Sequence, residues 1–403
     1  MNQLLRARVA IVLLFFANGF TFACWAVHIP YVKEQLELSE ANLGLVLLFT
    51  ALGSLFVMPV LGGIIERWGS ALVSQVTAFA FAGLLIALPN APAAMLLALL
   101  LLVFGSFGSA MDVAMNAQAV ELEKQLSIPV MASFHAVFSV GALAGVSSGS
   151  ALLALGWTPQ GHVALAAGLM VVLLLLTRTW LLPPELPSSD VAATPVRTPT
   201  FVLPTGSVLA LGLLATVSFL AEGAVTDWGV LYFRDVHRLP PSQAGWGFAA
   251  FSLMMALGRF TGDWVTARLG RKRCLQASAA LAAVALAVAV SVPNVWVSVV
   301  AFGGVGLGLA NIVPLLFSVA GSLPDVAPGK GIAGVAMAGY AGFLAGPPLI
   351  GVVAQAVNLS VALGMLAVLL AVVALAAKRV IESARAIPLV KPPVTSPSES
   401  AKL

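Results

Sequence analysis

Charge is what this chain has least of. Only 9% of its 403 residues are charged, where a soluble globular domain carries about 25%. A folded chain this poor in charge is solvated mostly by lipid. Cysteine is nearly absent too. Cys24 and Cys274 each lie in or beside an apolar run, which gives neither a disulfide framework nor metal-ligand spacing, so both read as packing residues. No glycine-rich nucleotide loop, no His-Glu metal pair and no nucleophile–base constellation occurs. A membrane enzyme or a non-transporting receptor is therefore the weakest reading, and neither a metal nor a redox or nucleotide cofactor is expected. The net charge of +4 comes from basic residues scattered between apolar runs, which does not suit a nucleic-acid partner.

What is present is apolar length. The chain is 60% hydrophobic with a mean hydropathy of +1.03. Twelve segments of spanning length can be counted: 8–31, 43–66, 71–89, 93–121, 130–154, 162–182, 206–232, 244–267, 274–292, 295–320, 331–356 and 358–378. Arg6 and Arg8 before an apolar run could open a signal peptide, but the run continues to Tyr31 and reads as a first span. The widest gap, residues 183–205, is rich in Pro, Ser and Thr and reads as a cytoplasmic linker. It divides the chain into six-helix units at 1–182 and 206–380, followed by a tail, 381–403, expected to be disordered. With the N-terminus in the cytoplasm, 16 of the 20 lysines and arginines fall on inside segments and 3 outside, with Arg259 within a span. The positive-inside rule then places both termini in the cytoplasm of a bacterial inner membrane protein.

The two units repeat. Glu66-Arg67-Trp68-Gly69 aligns with Ala267-Arg268-Leu269-Gly270, positions 66 and 267 being 201 apart. The same offset relates Gly44 to Gly245, Gly141 to Gly342 and Gly145 to Gly346. One offset serving separated helix pairs argues for two pseudo-symmetric bundles around a central pathway.

Ionisable groups inside spans are costly unless they face protein or water, so they mark function. Asp112 and Asn116 share a face of the fourth segment; His135 and Ser139 share one of the fifth. The short connection 122–129 predicts that these two helices are antiparallel neighbours whose four polar groups form one patch. In the first segment Asn18, Thr21, Trp25 and His28 make a stripe expected to face a cavity, with His28 solvated near the outer end. Glu222 and Asp227 in the seventh lie five residues apart, about 140° around a helix, on different faces. Asp227 lies nearer the outer end, where it can pair with Arg234. Arg259 and Asp263 read as a self-neutralising pair near the cytoplasmic face. Glycines at four-residue spacing, Gly141, Gly145 and Gly149 and then Gly342 and Gly346, suit close helix packing or a hinge.

The turns Gly62–Gly69 (G-G-I-I-E-R-W-G) and Gly258–Lys272 (G-R-F-T-G-D-W-V-T-A-R-L-G-R-K) resemble the loop signature of the major facilitator superfamily, and with twelve spans the resemblance covers the whole chain. It implies an all-α membrane fold of two six-helix bundles and assigns Glu66, Arg67, Gly69, Arg259, Asp263, Arg268, Gly270 and Arg271 to gating loops. The first copy has Glu66 for the usual Asp; the second has Ala267. M-D-V-A-M-N followed by M-A-S-F-H-A-V-F-S-V-G looks like the fucose-permease-like branch, where the acid of such a pair takes part in proton coupling and sugar binding. E-G-A-V-T-D-W, A-N-I-V-P and G-Y-A-G-F-L-A-G-P-P resemble the YbjJ/MosC-like permeases. By that match Asp112 takes the carboxylate's place and Asn116 the asparagine's; with the polar groups read above, Asp112, His135 and Glu222 are the proton-coupling candidates. Asn18, Thr21, Trp25, Asn116, Ser139, Asp227, Asn311 and Tyr340 are the substrate-binding ones. The sugar permeases also place an acid four residues before a helix-one proline; here Ala26 precedes Pro30. The resulting expectation is a monomeric secondary transporter in the lipid bilayer, moving a small polar, sugar- or polyol-like solute with protons. The alternative is a proton-driven efflux antiporter for drugs or metabolites.

Overall fold

The computed structural model describes residues 3–126, 130–183, 206–323, 326 and 328–385. The linker from residue 184 and the tail from residue 386 lie outside the described residues. Twelve long helices carry the fold among the described residues. The first unit holds α1 (Gln3–Ala26), α2 (Glu40–Trp68), α3 (Ser70–Ala87), α4 (Ala94–Leu126), α5 (Met131–Ala154) and α6 (Pro159–Thr177). The second holds α7 (Gly206–Asp235), α8 and α9, α10 (Val295–Leu309, continued by Ile312–Ala320), α11 (Pro328–Ala356) and α12 (Leu359–Arg385).

Helices α8 and α9 form one helical stretch, Trp246–Ser291, of 46 residues. At about 1.5 Å per residue that is roughly twice a bilayer's hydrocarbon thickness. It breaks at Gly270, where φ is 74° and ψ 153°, giving α8 as 246–269 and α9 as 271–291. Gly69, between α2 and α3, turns with φ 79° and ψ 144°. Only glycine enters this backbone region without strain, so the repeat of Gly69 and Gly270 is a repeat of one turn. Eleven helices among the described residues are long and apolar enough to span. The twelfth, α8, carries Arg259, Asp263 and Arg268, which lower its apolarity but not its length. An even number of spans puts Gln3 and Arg385 on one face, called here the termini face; the other is the distal face.

Few polar residues are available, and several start helices. Ser39 Oγ accepts from Asn42 N at 3.2 Å before α2, and Thr158 Oγ1 from Gly161 N at 3.1 Å before α6. Asn294 Oδ1 accepts from Trp296 N and Val297 N at 3.0 and 3.2 Å before α10. Each satisfies backbone donors that the first helical turn leaves free.

Helices in lipid gain nothing hydrophobic by associating, so close backbone contact through small residues decides their packing. The glycines show it, and show the repeat. A Cβ on Gly105 would lie 2.0 Å from Thr50 O, and one on Gly306 2.2 Å from Phe251 O. Both residues of the first pair are displaced by 201 in the second. Gly141 of α5 packs on Phe16 O of α1 with 2.2 Å for a Cβ, and Gly342 of α11 on Thr216 O of α7 with 2.1 Å. Between the halves, Gly44 of α2 meets Pro347 O of α11 and Gly245, just before α8, meets Val146 of α5. The close contacts belong to packing. Alanine at Gly141 must push α1 and α5 apart, because a carbonyl oxygen cannot swing aside as a side-chain tip can. We expect Gly141→Ala to lose about 1–3 kcal/mol, read as a lower thermal midpoint in detergent. Gly168→Ala, whose Cβ meets nothing within 4 Å, should leave the midpoint unchanged or raise it.

Candidate functional site

The halves meet where α2 packs on α11 and α5 on α8. Near the middle of α8, Arg259 reaches across this boundary. Its Nη1 donates to Ser139 Oγ of α5 at 3.0 Å, and its Nη2 to Glu222 Oε1 of α7 at 3.3 Å. The side chains of Arg259 and Glu222 are 18% and 22% exposed, so the ion pair is only partly screened by solvent. His135, one turn before Ser139, lies within electrostatic reach of Arg259. Its ring sits edge-on to Phe15 of α1, centroids 5.3 Å apart.

A second polar group lies on α4. Asn116 Nδ2 donates to the backbone oxygen of Asp112 at 2.8 Å and to its Oδ1 at 3.3 Å. Tyr340 of α11, in the other half, is within electrostatic range of that carboxylate. The tyrosine ring stacks on Phe219 of α7, centroids 5.8 Å apart and planes 3° apart, and is 38% exposed.

The single patch expected from Asp112, Asn116, His135 and Ser139 is thus divided. Helix α5 packs mainly on α1 and α8 and meets α4 little. A short connection joined the two helices without making them packing neighbours, because α1 takes the place beside α5. Arg259 has partners besides the expected Asp263. It engages Glu222 and Ser139, and the side chain of Asp263 lies outside the described residues.

The stripe on α1 is packed inside the fold in this structure. Asn18, Thr21 and Trp25 are buried, and Asn18 Nδ2 donates to Gly108 O of α4 at 3.3 Å. A polar stripe satisfies its cost equally well by bonding a neighbouring helix, which sequence cannot distinguish from facing water. His28, expected to be solvated, is buried and lies against His162 of α6, Nε2 to Nδ1 2.7 Å. Asp227 forms no ion pair among the described residues, and Arg234 is taken up elsewhere. Asn311 sits where α10 breaks and donates to Gly258 O of α8 at 3.1 Å, a tie within the second half. At the termini face Glu66, Arg67, Arg268 and Arg271 are exposed. Arg67 and Arg268 lie over Trp68 and Trp264, 5.7 and 4.1 Å from the ring centroids. Arg271 Nη1 donates to Ser322 Oγ at 3.4 Å, and Lys272 pairs with Glu382 of α12.

The distal face carries a cluster the sequence reading missed. Lys33 pairs with Glu40 at 2.8 Å and, across the halves, with Asp235 at 3.5 Å. Arg234 of α7 pairs with Glu34 at 2.9 Å and donates to Pro30 O at 2.6 Å, both in the other half. Ala41 N donates to Gln355 Oε1 at 3.1 Å. The signal was in the sequence: Lys33 and Arg234 are two of the three basic residues on outside segments, and the partner expected for Arg234 was Asp227. Arg234→Gln keeps the bulk and removes the charge. It should speed labelling of a cysteine placed at Ala354, which is 6% exposed beside these pairs, by an impermeant maleimide. An unchanged rate would mean the pairs do not hold the halves together.

The family model of the Major Facilitator Superfamily matches residues 9–240 and again 213–402. The chain belongs to the major facilitator superfamily. It is 39% identical over 373 residues to an uncharacterized MFS-type transporter of Yersinia pestis, covering 91% of this chain and 94% of that one. It is 34% identical over 354 residues to the membrane protein MosC of Rhizobium meliloti, covering 88% and 85%. Among solved folds it resembles a mutant of the nucleoside transporter NupG, with TM-score 0.76, 15% identity and coverage of 94% and 100%. It also resembles a bacterial homologue of the lysosomal transporter Spinster in an inward-facing, unoccupied conformation, with TM-score 0.72, 13% identity and coverage of 96% and 98%. The chain is a multi-pass membrane transporter with two pseudo-symmetric bundles, related to MosC-like proteins.

Proposed function

We propose that this superfamily member is a proton-coupled symporter that moves a small polar solute by rocking its two bundles, 1–182 and 206–380, about a site at mid-depth. The observation that carries this reading is Arg259, a cation of one half bonded at once to Glu222 of its own half and Ser139 of the other. Asp112, bonded by Asn116, lies within electrostatic range of Tyr340 across the same boundary. A polar cargo can replace these bonds one for one, which an apolar cargo cannot. The ion pairs of the distal face support a state closed on that side, with passage through the termini face in the same state. The excess of lysine and arginine supports a cytoplasmic termini face in a bacterial inner membrane, with the linker 183–205 on the same side. Asp112 is the principal proton carrier in this reading, with His135 and Glu222 beside it. Exposure to water on one side lets the carboxyl group exchange its proton, and the charge it then carries alters its bond to Asn116 and to cargo. The protein works as a monomer.

Flux into proteoliposomes tests it. With a pH gradient, acid outside, a polyol or sugar panel should contain at least one solute that accumulates above equilibrium, and accumulation should collapse with a protonophore. Accumulation only when the vesicle lumen is the acid side would overturn symport in favour of exchange against protons.

A further inference from the structure

A buried hydrogen-bonded chain in the first half lies apart from the Asp112 and Arg259 groups. His28 follows α1 at the distal end and is 1% exposed; His162 of α6 is also 1% exposed. His28 Nε2 and His162 Nδ1 are 2.7 Å apart. His162 Nε2 is 3.2 Å from Ser148 Oγ of α5 and 3.7 Å from Cys24 Sγ. Ser148 Oγ donates to Gly145 O at 3.0 Å, and Cys24 Sγ is 3.9 Å from the same oxygen. Since the serine hydrogen goes to the carbonyl, we assign its oxygen as acceptor from His162 Nε2–H. His162 Nδ1 is then the acceptor from His28 Nε2–H. Donation runs one way, from His28 to Gly145, and leaves a single bare atom: His28 Nδ1 is buried without a partner.

We propose that His28 and His162 form a buried one-proton binding site, filled from the distal face when the Lys33 and Arg234 pairs part. A proton from water binds the lone pair of His28 Nδ1. The Nε2–H can then pass along the 2.7 Å bond to His162, so the charge is shared by two rings in a charge-assisted bond. It goes no further, because the chain ends on a backbone carbonyl. A second proton would put two imidazolium rings in contact, so the pair takes one. A protonated Nδ1 needs an acceptor, and the closed state offers none, so the proton favours a state in which water reaches His28. The gate is adjacent in sequence: Arg234 donates to Pro30 O, two residues beyond His28.

The surroundings hold few competing charges. Helix α3 and the first part of α4, 94–111, carry no ionisable side chain, nor does α5 over 136–154. On α6 nothing but His162 can carry charge before Arg178. Arg6, Arg8 and Cys24 on α1, Tyr31, Lys33 and Glu34 on the short helix Ile29–Gln35, Glu37 and Glu40 after it, and Glu222, Asp227, Tyr232, Arg234 and Asp235 on α7 complete the ionisable set of these elements. Tyr31 accepts from Gln160 Nε2 at 2.9 Å.

The existence of the site does not depend on Asp112; its link to the gate rests on the alternating-access reading. The full chain in lipid nanodiscs, with 15N-labelled imidazoles, separates the two. The His28 and His162 signals should move together in one transition between about pH 8 and pH 3, a window wide enough for histidines inside a protein, with a low-field shared proton. His162→Asn should remove that proton and shift His28, whereas Asp112→Asn should change neither. Two independent transitions, or none in that range, overturns the proposal, and this reading needs no variant should His162→Asn fail to fold. For the gate, the labelling rate at Ala354→Cys, taken relative to the same variant unfolded in denaturant at the same pH so that the loss of thiolate cancels, should rise roughly fivefold or more on acidification, the lower end of coupling between linked sites. Wild type, with Cys24 and Cys274 buried, serves as the blank. A flat rate beside a coupled titration overturns the gate link alone.

Discussion

Arg259→Gln is expected to reduce transport by a factor of roughly 5–30, the equivalent of about 1–2 kcal/mol. The substitution strands the Glu222 carboxylate without its cation and removes the bond to Ser139 that joins the halves. Breaking one partner of a fully buried pair costs more, but solvent reaches both of these groups, so the smaller range applies. Uptake and counterflow in proteoliposomes should fall together, because positioning of cargo and closure of the halves share the residue. Arg259→Lys keeps the charge but not the fork that serves two partners at once, and should fall between. Adding Glu222→Gln to Arg259→Gln removes the stranded charge and should restore thermal stability without restoring flux. Wild-type flux in Arg259→Gln would mean that the bridge is idle.

Asp112→Asn should give the second large effect, and a selective one. Asparagine keeps the size of the side chain, and the backbone oxygen that accepts from Asn116 at 2.8 Å remains. What disappears is the ability to lose a proton. Solute exchange across vesicles should persist, while accumulation driven by a pH gradient should vanish. Loss of exchange as well would mark Asp112 as a lock between α4 and α11 rather than a carrier of protons. Accumulation equal to wild type would rule out both roles.

Particular residues show why some of this was legible beforehand. Gly69 and Gly270 announce their turn because no other residue adopts that backbone cheaply. Gly141 and Gly342 announce close crossings because lipid-embedded helices reward small residues. Asp112 stands out because an acid in an apolar run must have a reason. Such signals are local: each depends on one residue and its helix. The partners are not local. Asn18 bonds α4, His28 bonds α6, and Arg259 bonds α5 and α7, at separations of 90, 134, 120 and 37 residues. Nothing along one helix says which neighbour its polar face will meet.

The sequence by itself determined the class, the twelve spans, the repeat with its 201-residue offset and the family. Each follows from apolar length, charge placement and glycine, which act through backbone geometry and the cost of burying charge in lipid. The tertiary structure alone decided how the polar residues pair. It put α1 between α4 and α5, separating Asp112 from His135. It turned Arg259 toward Glu222 and Ser139, tied Asn18 of the α1 stripe to α4, and gathered Lys33, Arg234, Glu34 and Asp235 at the distal face. A buried polar group is satisfied by whichever partner the packing brings within about 3 Å, and packing is a property of twelve helices together.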